Sequence, residues 1–189
     1  IAPEGDVSYR DVELDPERRT ITVRRALTLD LGAVAKGLAI DTAARELAPF
    51  RDFAIDAGGD LYLGGLNPQG APWSVGIRHP RRDGELIDFL RVSNQAVCTS
   101  GDYERLTRGS SLSGNRHHIL DPRTGTSARA AARATVVACG AMMADSLATA
   151  AFALGPVDGI HLLTRMGVDG LIVTTELQRY ATQGLCHAA

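Results

Sequence analysis

The segment from Ala141 to Leu154 constrains the fold more than any other. It consists of alanine and bulky aliphatic residues with a single carboxylate, Asp145, which is the only formal charge between Arg133 and Asp158. Met143, Leu147, Ala150 and Leu154 recur at helical spacing, and Gly155-Pro156 ends the run, so the pattern predicts a helix with one apolar stripe packed on another layer. A carboxylate inside such a helix is costly to bury unless it takes a proton, gains several hydrogen-bond donors or binds a cation. Thr149 lies one turn further on the same face, and Ala148 between them leaves room for an approaching group. Carboxylate, hydroxyl and backbone carbonyls form an all-oxygen donor set of the kind that holds Mg²⁺ or Ca²⁺. Two readings of Asp145 stand level on these residues: a metal ligand, or a structural Asp bonded to the amides of a neighbouring strand.

Around this helix the chain reads as mixed α/β of the α+β type, a largely antiparallel sheet with helices packed on it. Residues 11 to 30 alternate polar and apolar about Asp15-Pro16-Glu17 as a hairpin does. A strand is expected to run into a helix at Leu29-Asp30-Leu31-Gly32, with Leu31, Val34 and Leu38 on its apolar side and Pro49 as its limit. Phe53, Ile55 and Ala57, then Leu61 and Leu63, flank a tight Gly58-Gly59 turn. Trp73 to Ile77 and Ile87 to Val92 read as strands joined by the polar loop 79–84. A further strand covers Ala134 to Cys139, a helix Val157 to Met166, and a last strand Leu171 to Thr175.

Composition removes several functional classes. The 189 residues are 44% hydrophobic, enough for one domain with a full core. Twenty basic against 22 acidic residues give a net charge of −2, and the basic ones are scattered, so no nucleic-acid partner is expected. No stretch approaches the ~20 apolar residues of a membrane span. Residues 1–6 have no signal-peptide character, and no compartment follows from the sequence. Cys98, Cys139 and Cys186 are widely spaced and fit neither a disulfide framework nor a zinc pattern, so they read as buried or incidental thiols.

Four further segments bear chemistry. Asp30-Leu31-Gly32-Ala33-Val34-Ala35-Lys36-Gly37 joins free N–H groups at a helix start to a lysine, a combination that favours phosphate, although it lacks P-loop spacing. Taken alone, a surface lysine on an ordinary capped helix is the simpler account. Ala57-Gly58-Gly59-Asp60 lets the backbone turn or lets a flat ligand approach, and turns without function share this pattern. Thr99-Ser100-Gly101-Asp102-Tyr103 is able to cap a helix. His117-His118-Ile119-Leu120-Asp121 precedes an Asp-Pro-x-Thr-Gly turn. Adjacent histidines on a strand face opposite ways, so one at most enters a given site, as a proton acceptor suited to neutral pH; surface histidines before a turn fit as well.

In order and spacing these five motifs, ending with Asp145-Ser146-Leu147-Ala148-Thr149, resemble the ApbE family of FAD:protein FMN transferases over nearly the whole chain. The resemblance implies one ApbE-like domain over 1–189, with the upstream part of the family domain absent. It implies that Asp145 and Thr149 bind Mg²⁺ together with the main-chain carbonyl of Ala33 and with Ala148 beside them. Asp30, Lys36 and Ile119 then contact FAD, with Gly58, Gly59, Asp60, Thr99, Ser100 and Gly101 in the same cofactor site. His118 is the implied catalytic base, acting with Asp145. The implied reaction transfers FMN from FAD to a Thr or Ser hydroxyl of an acceptor protein and releases AMP. A non-catalytic FAD-binding module and an Mg-dependent FAD pyrophosphatase giving FMN and AMP are the alternatives.

Overall fold

A computed structural model describes residues 7–102 and 119–185. The chain divides into two compact units, residues 1–31 and 32–189. Within the first, Ser8 caps a 3₁₀ turn at Tyr9–Asp11. Strands β1 (Val12–Asp15) and β2 (Thr20–Val23) then pair antiparallel with Leu14 opposite Ile21, the expected hairpin. Residues 26–31 have no regular structure. The strand expected to enter the helix at Leu29 is therefore not formed: no described strand pairs with this segment, and Leu29 and Leu31 are exposed.

The second unit begins with a turn at 32–34 and helix α1 (Ala35–Glu46). Then come β3 (Phe53–Ala57), β4 (Asp60–Gly64), β5 (Trp73–Arg78), β6 (Leu86–Val92) and β7 (Gln95–Gly101). The short pair β8 (Leu120–Asp121) and β9 (Thr126–Ser127) flanks the Asp-Pro-x-Thr-Gly turn. Strand β10 (Ala131–Ala138), helices α2 (Ala141–Leu154) and α3 (Pro156–Met166), and strands β11 (Asp169–Thr174) and β12 (Arg179–Ala181) complete the unit.

Six strands form one sheet in the order β12-β11-β10-β7-β4-β3, every neighbouring pair antiparallel. Because side chains alternate across a sheet, each strand serves two cores. Ala96 and Cys98 of β7, Ala134, Val136 and Ala138 of β10 and Ile172 of β11 pack under the helices with Ile40, Ala144, Ala148, Phe152 and Leu163. Val97, Val137, Leu171 and Val173 turn the other way onto Ile77, Leu90 and Val92 of the β5–β6 ribbon. The unit is thus three layers, helices on sheet on ribbon, and all of β10 is buried.

Helix α2 has the expected limits but a different buried face. Ala141, Ala144, Leu147, Ala148, Ala151 and Phe152 face inward, Met143 and Ala150 are half-buried, and Leu154 is exposed. The alanines let the helix lie close on β7 and β10, and the bulkier residues are displaced to its flanks. In α1 the buried residues are Gly37, Ile40 and Ala44, while Leu38 is exposed. Thr99-Ser100-Gly101 ends the central strand β7 and caps no helix. The small alternating side chains of Gln95 to Gly101 are what a strand covered on both faces requires, and they give little periodic signal.

Helices α1 and α2 meet at their N-termini. A Cβ on Gly37 would fall 2.4 Å from the Ala141 carbonyl oxygen and 2.5 Å from the Met142 Cα, so a side chain there separates the helices. From α1, Asp41 reaches the start of α2: its Oδ1 and Oδ2 accept the Ala141 and Met142 N–H groups at 2.6 and 3.0 Å. Gly140, the residue before α2, has no side chain to do this, so the cap comes from another helix. Gly37→Ala should therefore destabilise the fold by about 1–3 kcal/mol through overpacking. Asp41→Ala should cost about 1 kcal/mol as a lost cap. Urea midpoints measure both, and an unchanged midpoint for Gly37→Ala would contradict the helix contact.

Candidate functional site

The capping runs in both directions. Asp145, on the second turn of α2, accepts the Gly37 N–H through Oδ2 at 3.1 Å. Val34, which precedes α1, offers no side-chain cap of its own. Asp145 therefore answers one of the unsatisfied amides that every helix start carries, and its charge suits the positive end of the α1 dipole. The donor is a helix start, where the structural reading of the residue had placed a strand. Asp145 is 7% exposed, and a carboxylate with about four lone-pair positions is able to serve more than one partner.

One turn on, the Thr149 hydroxyl pairs with Ser100 Oγ at 3.0 Å. A hydroxyl that gives a lone pair to a cation directs its proton to another acceptor, and Ser100 is placed to accept it. The donor set of Asp145 carboxylate and Thr149 hydroxyl is hard and all-oxygen, which fits Mg²⁺. Among the described residues no three His, Cys, Asp or Glu side chains cluster as a cage, so a cation here would need main-chain or ligand oxygens as well. Ala33 lies in the turn immediately before α1, where such a carbonyl is available to the sequence. Ala148 is fully buried in the core beneath α2, so its side chain opens no approach path.

Lys36 is the second residue of α1. Its Nζ lies 2.5 Å from Asp60 Oδ2, and the lysine side chain is 41% exposed against 2% for the aspartate. Asp60 begins β4, and its Oδ1 accepts the Thr99 N–H of β7 at 2.9 Å. Cys98 is buried beside these groups, with Sγ donating to the Ala141 carbonyl at 3.6 Å. Burial pushes its thiol far up, and the Asp60 and Asp145 carboxylates push it further, with Lys36 opposing them. Cys98 is therefore an inert, protonated thiol in the buried core.

Other predicted residues sit elsewhere. Thr99 and Ser100 face opposite sides of β7: the Thr99 hydroxyl pairs with Thr135 at 2.9 Å, on the side away from α2. Gly101 ends the same strand, paired with Arg133. Gly58 and Gly59 adopt φ of +65° and +94°, and the Gly59 N–H donates to Asp56 Oδ1 at 2.8 Å, so the turn explains both glycines without a ligand. Ile119 is buried in the helix-side core, and its carbonyl accepts the Ala128 N–H at 3.0 Å. Asp30 belongs to the first unit. His118 lies outside the described residues.

A cavity of about 1190 Å³ opens on the other face of the sheet, between it and the β5–β6 ribbon, lined by Leu61, Trp73, Val75, Thr99, Arg133 and Thr135 among others. Near its end Arg81 forms a two-pronged ion pair with Asp102 at 2.9 and 2.6 Å, locking the ribbon's turn to the end of β7. Asp41 and this pair were not singled out in the sequence, whereas Cys98 is one of the buried thiols expected there. Only Asp41 carried a signal, as a poor helix former in the middle of an alanine-rich helix.

The chain matches the sequence model of the ApbE family over residues 3–172. It is 36% identical over 156 residues to an FAD:protein FMN transferase of Rhodobacter capsulatus, covering 80% of this chain and 29% of that protein. It is 35% identical over 172 residues to one of Treponema pallidum, covering 84% and 47%. The chain thus spans less than half the length of these relatives. Among solved structures it resembles the ApbE protein of Thermotoga maritima, with a TM-score of 0.82 and 34% identity over 93% of this chain and 58% of that one. The flavin transferase ApbE of Vibrio cholerae follows the same fold, with a TM-score of 0.77 and 27% identity over 93% and 57%. With an α+β architecture in common and the family's sequence pattern over most of its length, the chain belongs to the ApbE family.

Proposed function

We propose that the chain acts in FAD:protein FMN transfer, binding a magnesium–FAD complex and moving FMN to a Thr or Ser hydroxyl of an acceptor protein with release of AMP. One observation carries the reading: a buried carboxylate with a hydroxyl one turn away stands beside the joined starts of two helices, with a half-exposed lysine on one of them. Paired helix starts and a lysine attract a polyanion, and the carboxylate–hydroxyl set attracts a hard cation, so the site is built for both together.

Asp145, Thr149 and the Ala33 carbonyl would hold the metal, with Ala148 packed behind. Bound there, Mg²⁺ supplies charge neutralisation at the pyrophosphate. Lys36 offsets the charge that builds on the phosphoryl oxygens, at the positive end of the α1 dipole. The acceptor hydroxyl attacks the phosphorus next to riboflavin, a new P–O bond forms, and the bond to the AMP phosphate breaks with its electron pair leaving on AMP. His118 takes the acceptor's proton. Ile119 adds an FAD contact through its main chain, because its side chain is in the core. Gly58 and Gly59 contribute by shaping the turn that presents Asp60, and Gly101 by ending β7 beside Ser100.

The direct test incubates the protein with Mg²⁺, FAD and a flavin-acceptor protein and looks for a covalently fluorescent acceptor band. Free FMN and AMP formed without the acceptor would instead identify a pyrophosphatase, and FAD binding without AMP release a carrier. Asp145→Asn keeps an acceptor for the Gly37 N–H but removes the charge, so it should abolish both Mg²⁺ binding and transfer while the urea midpoint stays close to that of the parent. Lost stability with surviving transfer would make Asp145 purely structural. Ser100→Ala should raise the Mg²⁺ requirement about tenfold by freeing the Thr149 hydroxyl. Calorimetric Mg²⁺ titration measures that change independently of turnover.

A further inference from the structure

Asp60 groups with the cofactor contacts in the sequence, but its surroundings suit a different task. Its Oδ1 accepts the Thr99 N–H at 2.9 Å, its buried Oδ2 has the Lys36 ammonium as an ion-pair partner at 2.5 Å, and the residue is 2% exposed. A carboxylate so enclosed is shielded from a ligand, and its charge would repel a pyrophosphate. Lysine is a point charge on a flexible four-carbon stem, and left alone it samples many positions. Asp60 cannot wander: it opens β4 and is tied to β7, the strand that also carries Ser100 against Thr149.

We propose that Asp60 is a positioning residue for Lys36: anchored between β4 and β7, its carboxylate holds the ammonium at the start of α1, where the lysine meets the pyrophosphate of the substrate. This rests on the reading of Lys36 as a phosphate contact under Proposed function. The arrangement keeps the cation in register with Thr149 and Asp145, because the Thr99 amide and the Ser100 hydroxyl are neighbours on one strand. A second consequence concerns sign. A carboxylate that only neutralises Lys36 weakens anion binding, whereas one that aims Lys36 strengthens it.

The experiment titrates inorganic pyrophosphate, without divalent cation, into the 189-residue chain and its Asp60→Asn, Lys36→Gln and double variants by calorimetry. Asparagine retains an oxygen for the Thr99 N–H. Asp60→Asn is expected to weaken pyrophosphate binding about tenfold, the size of coupling seen between residues in contact. In the Lys36→Gln background the same change should have almost no effect. Tighter binding by Asp60→Asn, or an equal loss in both backgrounds, would overturn the proposal while leaving Lys36 as a contact. Unchanged binding by Lys36→Gln would overturn the contact reading and the positioning role with it. Should Asp60→Asn fail to fold, the ¹⁵Nζ resonance of Lys36 in the parent decides. Protection from solvent exchange supports the pair, and rapid exchange overturns it.

Discussion

Two helix starts carrying the same partial charge have been brought together, and the second unit depends on what makes that tolerable. The N-termini of α1 and α2 each present unsatisfied amides and the positive end of a dipole, so their approach would be unfavourable without negative charge between them. Asp41 and Asp145 supply it reciprocally, each lying within one helix and bonding to the start of the other. Gly37 allows the contact because any side chain there would collide with the backbone of α2. The result is a fixed region rich in amides and acid groups at the helix-side surface of the sheet. The packing solution thus fixes the geometry of the proposed site.

Strand β7 extends that arrangement across the sheet. Its even-numbered residues Ala96, Cys98 and Ser100 lie under the helices, and its odd-numbered Val97 and Thr99 face the ribbon and its cavity. Small side chains on the helix side let α2 come close enough for Ser100 to reach Thr149. The backbone amide of Thr99 holds Asp60, while its hydroxyl joins Thr135 on the opposite face. A single strand therefore sets the height of two polar groups on the helix face and buries the protonated Cys98 thiol on that same face.

Much of this was legible in the residues, and the division follows sequence separation. The limits of α2, the β3–β4 turn and the β5–β6 ribbon rest on local period and turn chemistry, and they agree with the structure. The cost of a lone carboxylate drew attention to Asp145 before any fold was known. Its partner was out of reach: Gly37 lies 108 residues away, and Asp41 caps a helix 100 residues away. Asp60 finds Thr99 at a separation of 39. Strand β7 escaped because its alternation is between small residues, and the stripe on α2 was drawn through its largest side chains when alanines make the contact. Residues 26–31 alternate well enough for a strand, but alternation without a neighbouring strand to take the hydrogen bonds does not make one.

These long-range partners also redistribute weight within the motifs. In Ala57-Gly58-Gly59-Asp60 the glycines attract attention, yet the turn accounts for them: positive φ at both, open space where a Cβ would be, and an amide bonded back to Asp56. The residue that follows is the one whose burial has to be compensated, and its compensation links α1, β4 and β7. In Thr99-Ser100-Gly101 the two hydroxyls, adjacent in sequence, serve opposite faces, and only Ser100 touches the Asp145 helix. The proposed site, held by α1, α2 and β7 with its charged groups tied to backbone amides, would need little rearrangement on binding a ligand. Such preorganisation on rigid elements is how fixed dipoles and charges act most strongly on developing charge.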